Sequence, residues 1–400
     1  MRVLWVNPNF LHPTTKGGQI RTLEMLRYLH RWHEIHYVAM EDPLEPEGPA
    51  RALEYCARAY PFRLRVPRRG SPGFIAQVAK GLFDPMPVAV RRFHSPAMSA
   101  FLRGLIERER FDRAVVDFLP PASYFPGLER GLLFEHNVET LIWRRHAQHA
   151  SDPLRRWYFR LQADRMFRFE CRACRAAGRI VTVSERDAAA IRELFGVKNA
   201  SFIPTGVDIE NLAPPDPAPP RSTGLVFVGS MDWLPNIDGI QWFVREVLPI
   251  LRRSRPDCSL AIVGRTPPRS VLALAENDPL IRVTGTVPDV RPYLWGATVS
   301  IVPLRIGGGT RLKIYESMAA GTPVVSTTVG AEGLEVHPPG DIRLADSPAE
   351  FAASCADLLA DAGARALQAQ AARDMVAAHF SWEWAARCFD SVLQAAPQFR

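Results

Sequence analysis

The sequence predicts an α/β protein with two Rossmann-like, doubly wound domains, each a parallel sheet covered by helices. The chain has 400 residues, whereas a single hydrophobic core stops growing at roughly 250–300 residues. Its composition, 47% hydrophobic and 23% charged, is that of an ordinary globular protein. Two runs of alternating strand and helix patterns, separated by a proline-rich segment, then indicate two domains of the same kind.

The first run begins with an apolar strand over residues 3–6, a loop over 7–18 and a helical pattern over 19–32. The loop ends in the pair Gly17 and Gly18. Further short apolar runs, typical of buried parallel strands, follow at 36–40, 114–118, 132–135 and 179–183.

A proline-rich segment over 213–222 marks the domain boundary. Its prolines are Pro214, Pro215, Pro217, Pro219 and Pro220. Such a segment can continue neither a helix nor a strand. The sequence therefore predicts a first domain over 1–212 and a second over 223–375. A C-terminal helix is expected within 376–400, and its return to the first domain is left open.

The second run repeats the alternation of strands and helices. Strands are predicted at 225–229, 259–263, 281–284, 299–304 and 323–326, with a short apolar run at 342–344. Helices are predicted at 237–252 and 310–320.

Charge and cysteine content narrow the class of protein. The formal net charge is +7, and residues 144–179 hold ten arginines against three acids, interleaved with aromatic residues. This basic segment is either a solvated helix or a face for anionic lipid or an anionic acceptor. No motif for nucleic-acid binding accompanies it. Cys171 and Cys174 lack a second ligand pair, so we expect two thiols on one helix.

No apolar run reaches the roughly 18–20 residues that a membrane-spanning helix needs. Residues 1–8 resemble a first strand more than a signal peptide. We therefore expect a cytoplasmic protein, with contact at the inner membrane face left open.

The segment 303–323 is the most informative for chemistry. A predicted strand ends in three glycines, and a helix starts at once. The residues of this turn are Gly307, Gly308, Gly309 and Thr310. A glycine turn at a helix start brings backbone N–H groups and the positive end of the helix dipole close to an anion.

Arg311 and Lys313 follow in the first turn of this helix. Positive side chains oppose the dipole there, so we expect them to meet an anion instead of stabilising the helix. Glu316 lies further along the helix, where it could accept hydrogen bonds from two ribose hydroxyls. A tight turn before an amphipathic helix with solvated basic residues is the alternative. The turn is neither a P-loop nor a dinucleotide fingerprint.

In combination, several segments resemble the retaining glycosyltransferases of family 4, which have the GT-B fold. The matching segments are 181–185, 203–208, 226–230, 261–264, 283–287 and 307–325. The resemblance is detailed over about 180–335 of the sequence and thinner elsewhere. It implies two domains facing across a cleft that holds a nucleotide-sugar donor, with the first domain on the acceptor side.

The resemblance also assigns residues to the donor. Glu316 would bind the ribose, and the turn from Gly307 to Thr310 would surround the diphosphate. His136 would face the transferred sugar, with a buried structural histidine as the alternative. The further donor-binding residues that it implies are Gly17, Gly18, Gly229, Ser230, Gly285 and Val287.

The sequence departs from the family pattern at two places. Gly308 stands where family members commonly have an acid, and Ser230 and Asn236 stand where most have an arginine and a lysine. We hypothesise that Arg311 and Lys313 supply the missing phosphate clamp from the neighbouring loop.

The expected chemistry needs no metal. The sequence has no Asp-x-Asp and no cluster with metal-ligand spacing, so we expect no metal and no cofactor beyond the nucleoside-diphosphate sugar. The resemblance implies a retaining transfer in which the acceptor hydroxyl attacks from the face that the diphosphate leaves. The acceptor is a glycan, a lipid-linked sugar or a small molecule, as in bacterial surface glycan (exopolysaccharide) or glycolipid synthesis.

Two other functions stay open. A nucleotide-sugar epimerase on the same fold would need acid and base carboxylates around the sugar. A non-catalytic module would bind sugar nucleotides or membrane without turnover. A nicotinamide dehydrogenase is disfavoured because neither glycine loop has the fingerprint spacing.

Overall fold

The computed structural model describes residues 1–14, 17–42, 46–63, 73, 81–82, 84–149, 152–221, 223–231, 233–306 and 312–399. The chain divides into two compact units. The first contains Met1–Gly206 and Trp382–Arg400, and the second contains Val207–Ser381.

The first unit contains a parallel sheet. Its strands are β1 (Arg2–Asn9), β2 (Glu34–Glu41), β3 (Arg58–Arg63), β4 (Arg113–Asp117), β5 (Leu132–Glu135), β6 (Arg179–Thr182) and β7 (Ala200–Phe202). They lie in the order β3-β2-β1-β4-β5-β6-β7, and neighbouring strands are parallel. The strand order reverses between β1 and β4, as in a doubly wound fold.

The second unit repeats this plan. Its strands are β8 (Thr223–Val228), β9 (Leu260–Val263), β10 (Ile281–Val283), β11 (Ala297–Val302), β12 (Val324–Ser326) and β13 (Arg343–Leu344). Their order is β10-β9-β8-β11-β12-β13, again parallel. Here the order reverses between β8 and β11. The predicted pair of doubly wound α/β domains is thus confirmed.

The helices alternate with the strands along the chain. They are α1 (Gly17–Trp32), α2 (Glu47–Ala50), α3 (Val88–Arg91), α4 (Pro96–Glu109), α5 (Glu139–His149), α6 (Pro153–Ala176), α7 (Glu185–Phe195), α8 (Ile209–Leu212), α9 (Leu234–Trp242), α10 (Leu248–Ser254), α11 (Arg269–Glu276), α12 (Arg291–Gly296), α13 (Leu312–Ala319), α14 (Pro348–Ala360), α15 (Ala362–His379) and α16 (Trp382–Ala395). Short 3₁₀ turns cover Ala52–Glu54, Pro120–Ser123 and Leu128–Arg130. None of the helices in the described ranges is long and apolar enough to cross a membrane.

Local sequence explains where several helices begin. Ser95, Asp152 and Ser184 accept the backbone N–H three residues on, so they cap α4, α6 and α7. A capping box at Ser347 and Glu350 begins α14.

The C-terminal helix α16 packs on the first sheet. The ring of Phe389 lies 5.3 Å from that of Trp5 and 5.2 Å from that of Phe134. All three side chains are fully buried in one apolar cluster. Burial of this aromatic face explains why residues from Trp382 onward belong to the first unit.

The boundary between the units lies between Gly206 and Val207, within the predicted first domain 1–212. Val207 and Leu212 are buried in an apolar cluster of the second unit, and Trp295 Nε1 donates to the carbonyl of Leu212. The described part of the proline-rich segment also belongs to the second unit. There, Arg221 donates to the carbonyls of Ala297 and Gly321.

Some elements differ from the sequence interpretation for physical reasons. β3 and β7 were not predicted, because both lie at sheet edges where partly exposed residues break the apolar pattern. The predicted helix over 237–252 is interrupted by a π-helical turn at Phe243–Val247. Pro249 follows in the first turn of α10 and lacks an N–H, so the α-helical bonding cannot run through unchanged. Cys171 and Cys174 lie on one helix, α6, as predicted.

Candidate functional site

The second sheet presents a site at its strand reversal. In doubly wound sheets, ligands bind outside the carboxyl ends of the strands where the order reverses. In this unit that place lies after β8 and β11. The predicted turn and the arginine after it lie there in sequence but outside the described residues: Gly307, Gly308, Gly309, Thr310 and Arg311. Their roles stay predictions, whereas the helix α13 that follows them is described.

Lys313 and the loop after β8 meet at this reversal. Lys313 Nζ donates to Asn236 Oδ1 at 2.8 Å, and Asn236 Nδ2 donates to the carbonyl of Ser230 at 2.7 Å. A Cβ atom added at Gly229 would lie 2.6 Å from Lys313 Nζ. A side chain at Gly229 would therefore compete with the ammonium group for this space. The structure thus brings three predicted residues, Gly229, Ser230 and Lys313, together.

The ammonium group of Lys313 also lies 4.6 Å from the ring centre of Phe227, a cation–π contact that fixes the lysine near the end of β8. Glu316 stands one turn further along α13 and is partly buried. Burial raises the pKa of the Glu316 carboxyl, and the positive charge of Lys313 opposes this rise. Glu316 and Lys313 therefore lie within electrostatic reach of each other.

Arg265 is a further cation at this place, which the sequence analysis missed. It follows β9, and its Nε donates to Ser230 Oγ at 2.8 Å. The loops after β8 and β9 touch so closely that a Cβ atom at Gly264 would clash with the carbonyl oxygen of Gly229. The sequence did contain a signal for Arg265. In the segment 260–265, a short apolar run is followed by a glycine and then by this arginine.

Gly285 and Val287 lie further along the sheet edge. They follow β10, which is two strands from β8. Gly285 has a φ of 69°, and a Cβ there would meet no atom within 4 Å. Val287 packs against an apolar cluster. The structure leaves open space at Gly285, and the predicted contact of this loop with a nucleobase stays a prediction.

In the first unit, polar residues gather at the other reversal, between β1 and β4. Asp117 is fully buried at the end of β4. It accepts hydrogen bonds from His136 Nε2 at 2.7 Å and from Asn7 Nδ2 at 2.7 Å. His136 is 5% exposed and follows β5. Its other ring nitrogen, Nδ1, lies 3.3 Å from Arg21 Nη1. Sequence reasoning found His136 but missed Asp117 and Arg21.

Gly17 and Gly18 begin α1 and differ in their surroundings. A Cβ at Gly18 would lie 2.5 Å from Cζ of Phe118, so packing requires glycine there. A Cβ at Gly17 would meet nothing within 4 Å. Only Gly17 therefore leaves room at the helix start for close approach of another molecule.

The described ranges contain no group of three or more His, Cys, Asp or Glu side chains that could hold a metal ion.

Two doubly wound parallel sheets with these sites define the GT-B class of glycosyltransferases, and solved structures share this fold. Sucrose-phosphate synthase from Thermosynechococcus elongatus superposes with a TM-score of 0.64 at 17% identity, over 99% of this chain and 98% of that one. Anabaena HepE in complex with UDP and glucose gives 0.63 at 13% identity, over 99% and 100%. WaaG, a glycosyltransferase involved in lipopolysaccharide biosynthesis, gives 0.58 at 15% identity, over 98% and 99%.

Family models match both units. The model described as Glycosyltransferase Family 4 matches residues 15–211, and the model described as Glycosyl transferases group 1 matches residues 222–361. The chain belongs to the group 1, family 4 glycosyltransferases, and the resemblance drawn from its motifs is confirmed.

Curated relatives match only in part. The glycogen synthase of Mycobacterium tuberculosis (strain H37Rv) is 28% identical over 237 residues, which is 56% of this chain and 55% of that protein. An uncharacterized 44.6 kDa protein in the cps region of Klebsiella pneumoniae is 23% identical over 139 residues, which is 33% of this chain and 36% of that protein. The chain therefore spans about half or less of the length of these relatives.

Proposed function

We propose that this protein is a retaining glycosyltransferase that moves a sugar from a nucleoside-diphosphate donor to an acceptor hydroxyl without a metal ion. One observation carries the proposal. In a member of this family, Lys313 and Arg265 bring two positive charges to the end of β8, next to Ser230 and Asn236. Ser230 and Asn236 stand at the two positions where the resemblance implies an arginine and a lysine in most family members.

The two cations suit a diphosphate leaving group. Negative charge grows on the diphosphate as its bond to the sugar breaks, and fixed positive charges stabilise it at that moment. Lys313 is held by Asn236 and the ring of Phe227, so it is oriented before the donor arrives. Arg265 is exposed and joined to Ser230. Both groups do this work without a metal ion.

Glu316 has the chemistry to select the sugar of the nucleotide. A carboxylate accepts two hydrogen bonds, which matches the adjacent hydroxyls of a ribose. Burial raises the pKa of the Glu316 carboxyl, and the positive charge of its neighbour Lys313 opposes this rise. We propose that Glu316 holds the ribose while Lys313, one turn before it, meets the phosphates.

Retention needs no pair of protein carboxylates. In the proposed reaction the bond between the anomeric carbon and the diphosphate breaks first. The acceptor hydroxyl then bonds to that carbon on the same face, and a phosphate oxygen takes its proton. The products are a glycosylated acceptor and a nucleoside diphosphate.

The test uses UDP-glucose, GDP-mannose and ADP-glucose in excess EDTA, with and without a set of sugar and lipid-linked acceptors. Release of nucleoside diphosphate that depends on an acceptor, with a product of the same anomeric configuration as the donor, supports the proposal. A new sugar nucleotide formed without acceptor indicates an epimerase, and binding without turnover indicates a non-catalytic module. Loss of turnover in EDTA, restored by a divalent metal, contradicts the metal-free mechanism.

The wider role that we propose is bacterial surface glycan or glycolipid synthesis on the cytoplasmic side of the membrane. The names of two similar proteins support it: one lies in a cps region and one acts in lipopolysaccharide biosynthesis. An acceptor of that kind is anionic or anchored to lipid, which fits the basic segment 144–179.

The start of α6 supports peripheral contact with an anionic membrane. Leu154 and Trp157 are 72% and 54% exposed, and Arg155, Arg156 and Arg160 beside them are also exposed. Apolar side chains among arginines suit the interface of an anionic bilayer. A shallow depression lined by Arg144, Ala147, Gln148, Arg160, Ala163 and Asp164 lies between α5 and α6.

Vesicle flotation tests the membrane contact. The protein should float with vesicles containing phosphatidylglycerol but not with pure phosphatidylcholine, and Trp157→Ala with Leu154→Ser should reduce flotation. Trp384→Ala is the matched control, because Trp384 is 41% exposed on α16 and is not part of the basic segment 144–179. Equal flotation of all variants contradicts the membrane contact, and inhibition of transfer by soluble anionic glycans indicates acceptor binding instead.

A further inference from the structure

Asp117 is the centre of a buried hydrogen-bond network in the first unit. Its Oδ2 accepts from Trp5 Nε1 at 2.9 Å, from Asn7 Nδ2 at 2.7 Å and from Thr22 Oγ1 at 2.9 Å. Its Oδ1 is 2.7 Å from His136 Nε2. All of these side chains are buried. Burying a carboxylate is costly unless hydrogen-bond donors replace the lost water. The four donors around Asp117 therefore hold its carboxylate in one fixed position.

The partners of His136 determine its tautomer. A carboxylate only accepts hydrogen bonds and a guanidinium only donates them. His136 Nε2 faces Asp117, so Nε2 must carry the proton. Its Nδ1 faces Arg21 Nη1, so Nδ1 must present its lone pair. The structure assigns a neutral imidazole. Burial lowers the pKa of His136 and Arg21 lowers it further, which outweighs the opposing effect of Asp117.

Packing fixes the orientation of the ring. Phe118 stacks on His136 with ring centres 3.9 Å apart and an angle of 9° between the planes. Phe118 has a φ of 68°, a strained value for a residue with a side chain. Gly18 packs at the edge of both stacked rings, since its added Cβ would lie 2.5 Å from Phe118 and 3.5 Å from His136 Nδ1. The Nδ1 edge therefore points toward the start of α1.

Arg21 contacts the Nδ1 edge of His136 through a long hydrogen bond. Its Nη2 donates to Thr205 Oγ1 at 2.8 Å, whereas its Nη1 is 3.3 Å from His136 Nδ1, a long hydrogen bond. Burial lowers the pKa of Arg21 to about 10, so the guanidinium stays charged at neutral pH. A shorter bond from an incoming hydroxyl can replace the long one, while Thr205 keeps Arg21 in place.

We propose that Asp117 is a positioning residue that holds His136 with its proton on Nε2, so that Nδ1 accepts a hydrogen bond from a sugar hydroxyl. The proposal rests on the glycosyl transfer proposed above. It assigns His136 the role of a neutral acceptor and excludes that of a proton donor. A neutral ring also avoids repelling the positive charge that develops on the sugar when the diphosphate leaves.

Nitrogen NMR of histidine-labelled protein tests the tautomer directly, without substrate. In the wild-type protein at pH 7.5, His136 should show a protonated Nε2 and an unprotonated Nδ1, with the signals assigned from a His136→Gln spectrum. A ring protonated on Nδ1, or on both nitrogens, overturns the proposal. This measurement needs no Asp117 variant, so it stands even if such variants fold poorly.

Asp117→Asn should invert the tautomer. Three donors face Oδ2 and only one faces Oδ1, so the asparagine oxygen should turn to the three and its NH₂ to His136. Nε2 must then accept, and the proton moves to Nδ1. Thr22→Val is the matched control, since it removes one donor from Asp117 but leaves the carboxylate facing His136. His36, fully buried with its own partners Tyr60 and Glu34, is the internal reference.

Steady-state kinetics distinguish a positioning role of Asp117 from a general loss of structure. With the donor found by the panel above, Asp117→Asn should lower kcat by roughly 100-fold or more, because the preorganised acceptor at Nδ1 is lost beside the developing charge, while the KM for the donor stays within about 3-fold. Thr22→Val should keep the wild-type tautomer. An unchanged tautomer in Asp117→Asn, or the same inversion in Thr22→Val, overturns the proposal. A wild-type protein with the assigned tautomer but no transfer contradicts the proposed function instead.

Discussion

The ammonium group of Lys313 lies 2.8 Å from the side-chain oxygen of Asn236. The two residues come from different loops: Asn236 stands in α9 after β8, and Lys313 stands in α13 after β11. The resemblance to the family implies a lysine at the position of Asn236 in most members. We propose that Lys313 supplies this charge from another part of the sequence.

Lys313→Ala should lower kcat/KM by about 100-fold or more, because the loss of one preorganised charge at a developing anion costs roughly 3 kcal/mol. The effect should be larger for transfer than for binding of the nucleoside alone. Steady-state kinetics with the natural donor and calorimetry with UDP and uridine measure the two separately.

A second substitution provides the control. Asn236→Lys in the Lys313→Ala background should recover at least a tenth of the wild-type kcat/KM, since the new ammonium group can reach the space that Lys313 leaves at Gly229. Asn236→Gln in the same background adds length without charge and should recover nothing. Equal recovery in both would show that the charge is not what matters.

Arg265→Ala should weaken the binding of a nucleoside diphosphate by roughly 10-fold, or about 1.4 kcal/mol. The effect should be modest because the guanidinium is exposed and water screens its charge. Calorimetry with UDP and UMP measures it, and the loss should be greater for UDP because that ligand carries the second phosphate.

Arg269 serves as the matched control for Arg265. It is an exposed arginine in the first turn of α11, four residues further along the chain. Arg269→Ala should leave the affinity for UDP unchanged at 0.15 M salt. A similar loss in both variants would mean that the general positive charge of the surface, and not Arg265, attracts the nucleotide.

The sequence predicted those residues of this site that stand in one recognisable segment, and it missed those brought together by contacts between separate loops. Lys313 and Glu316 could be found because they stand at fixed positions in a helix after a glycine turn. Gly229 could be found because it ends a buried apolar strand. Arg265 becomes important because the loops after β8 and β9 touch, at Gly264 and Gly229. Asn236 becomes important because Lys313 reaches it from the helix after β11. No local pattern in the sequence records either contact.

The same reasoning applies to the fold and to the first unit. Buried strands such as β4 and β5 were predicted because every residue in them is apolar except at the ends. The edge strands β3 and β7 lack that pattern. Asp117 ends one of the predicted strands, but its four donors come from positions between 5 and 136 of the chain. These donors meet at Asp117 because of the order of the strands in the sheet, and that order could not be predicted from the sequence.

Glu316→Ala should remove the preference for ribose. If its carboxylate accepts hydrogen bonds from the ribose hydroxyls, the wild-type protein should bind UDP roughly 10-fold to 100-fold more tightly than 2′-deoxy-UDP, because hydrogen bonds to charged groups contribute about 1.5–3 kcal/mol. The variant should bind the two ligands equally. Glu276→Gln, an exposed carboxylate on α11, should keep the preference. A preference that persists in Glu316→Ala would assign the ribose to another residue.

Glu135→Gln should make the protein more stable at alkaline pH. Glu135 ends β5, is 2% exposed, and its Oε1 is buried without a hydrogen-bond partner among the described residues. Burial, and then the nearby charge of Glu170, raise the pKa of Glu135 well above its ordinary range. Burial also raises the pKa of Glu170 to about 7, although Thr140 donates to it.

The sign of the pH dependence follows from these shifts. Above the ordinary glutamate pKa near 4.5, the unfolded chain has released protons that the folded protein still holds, so the free energy of unfolding falls as pH rises toward 7 and beyond. Glu135→Gln removes the proton of Glu135 from this balance. It should raise the free energy of unfolding at pH 8 and change it little at pH 4.5. Urea unfolding at the two pH values measures this, and Glu107→Gln, at an exposed position on α4, should give the same difference as wild type. Equal effects of Glu135→Gln at both pH values would mean that Glu135 is ionised in the folded protein.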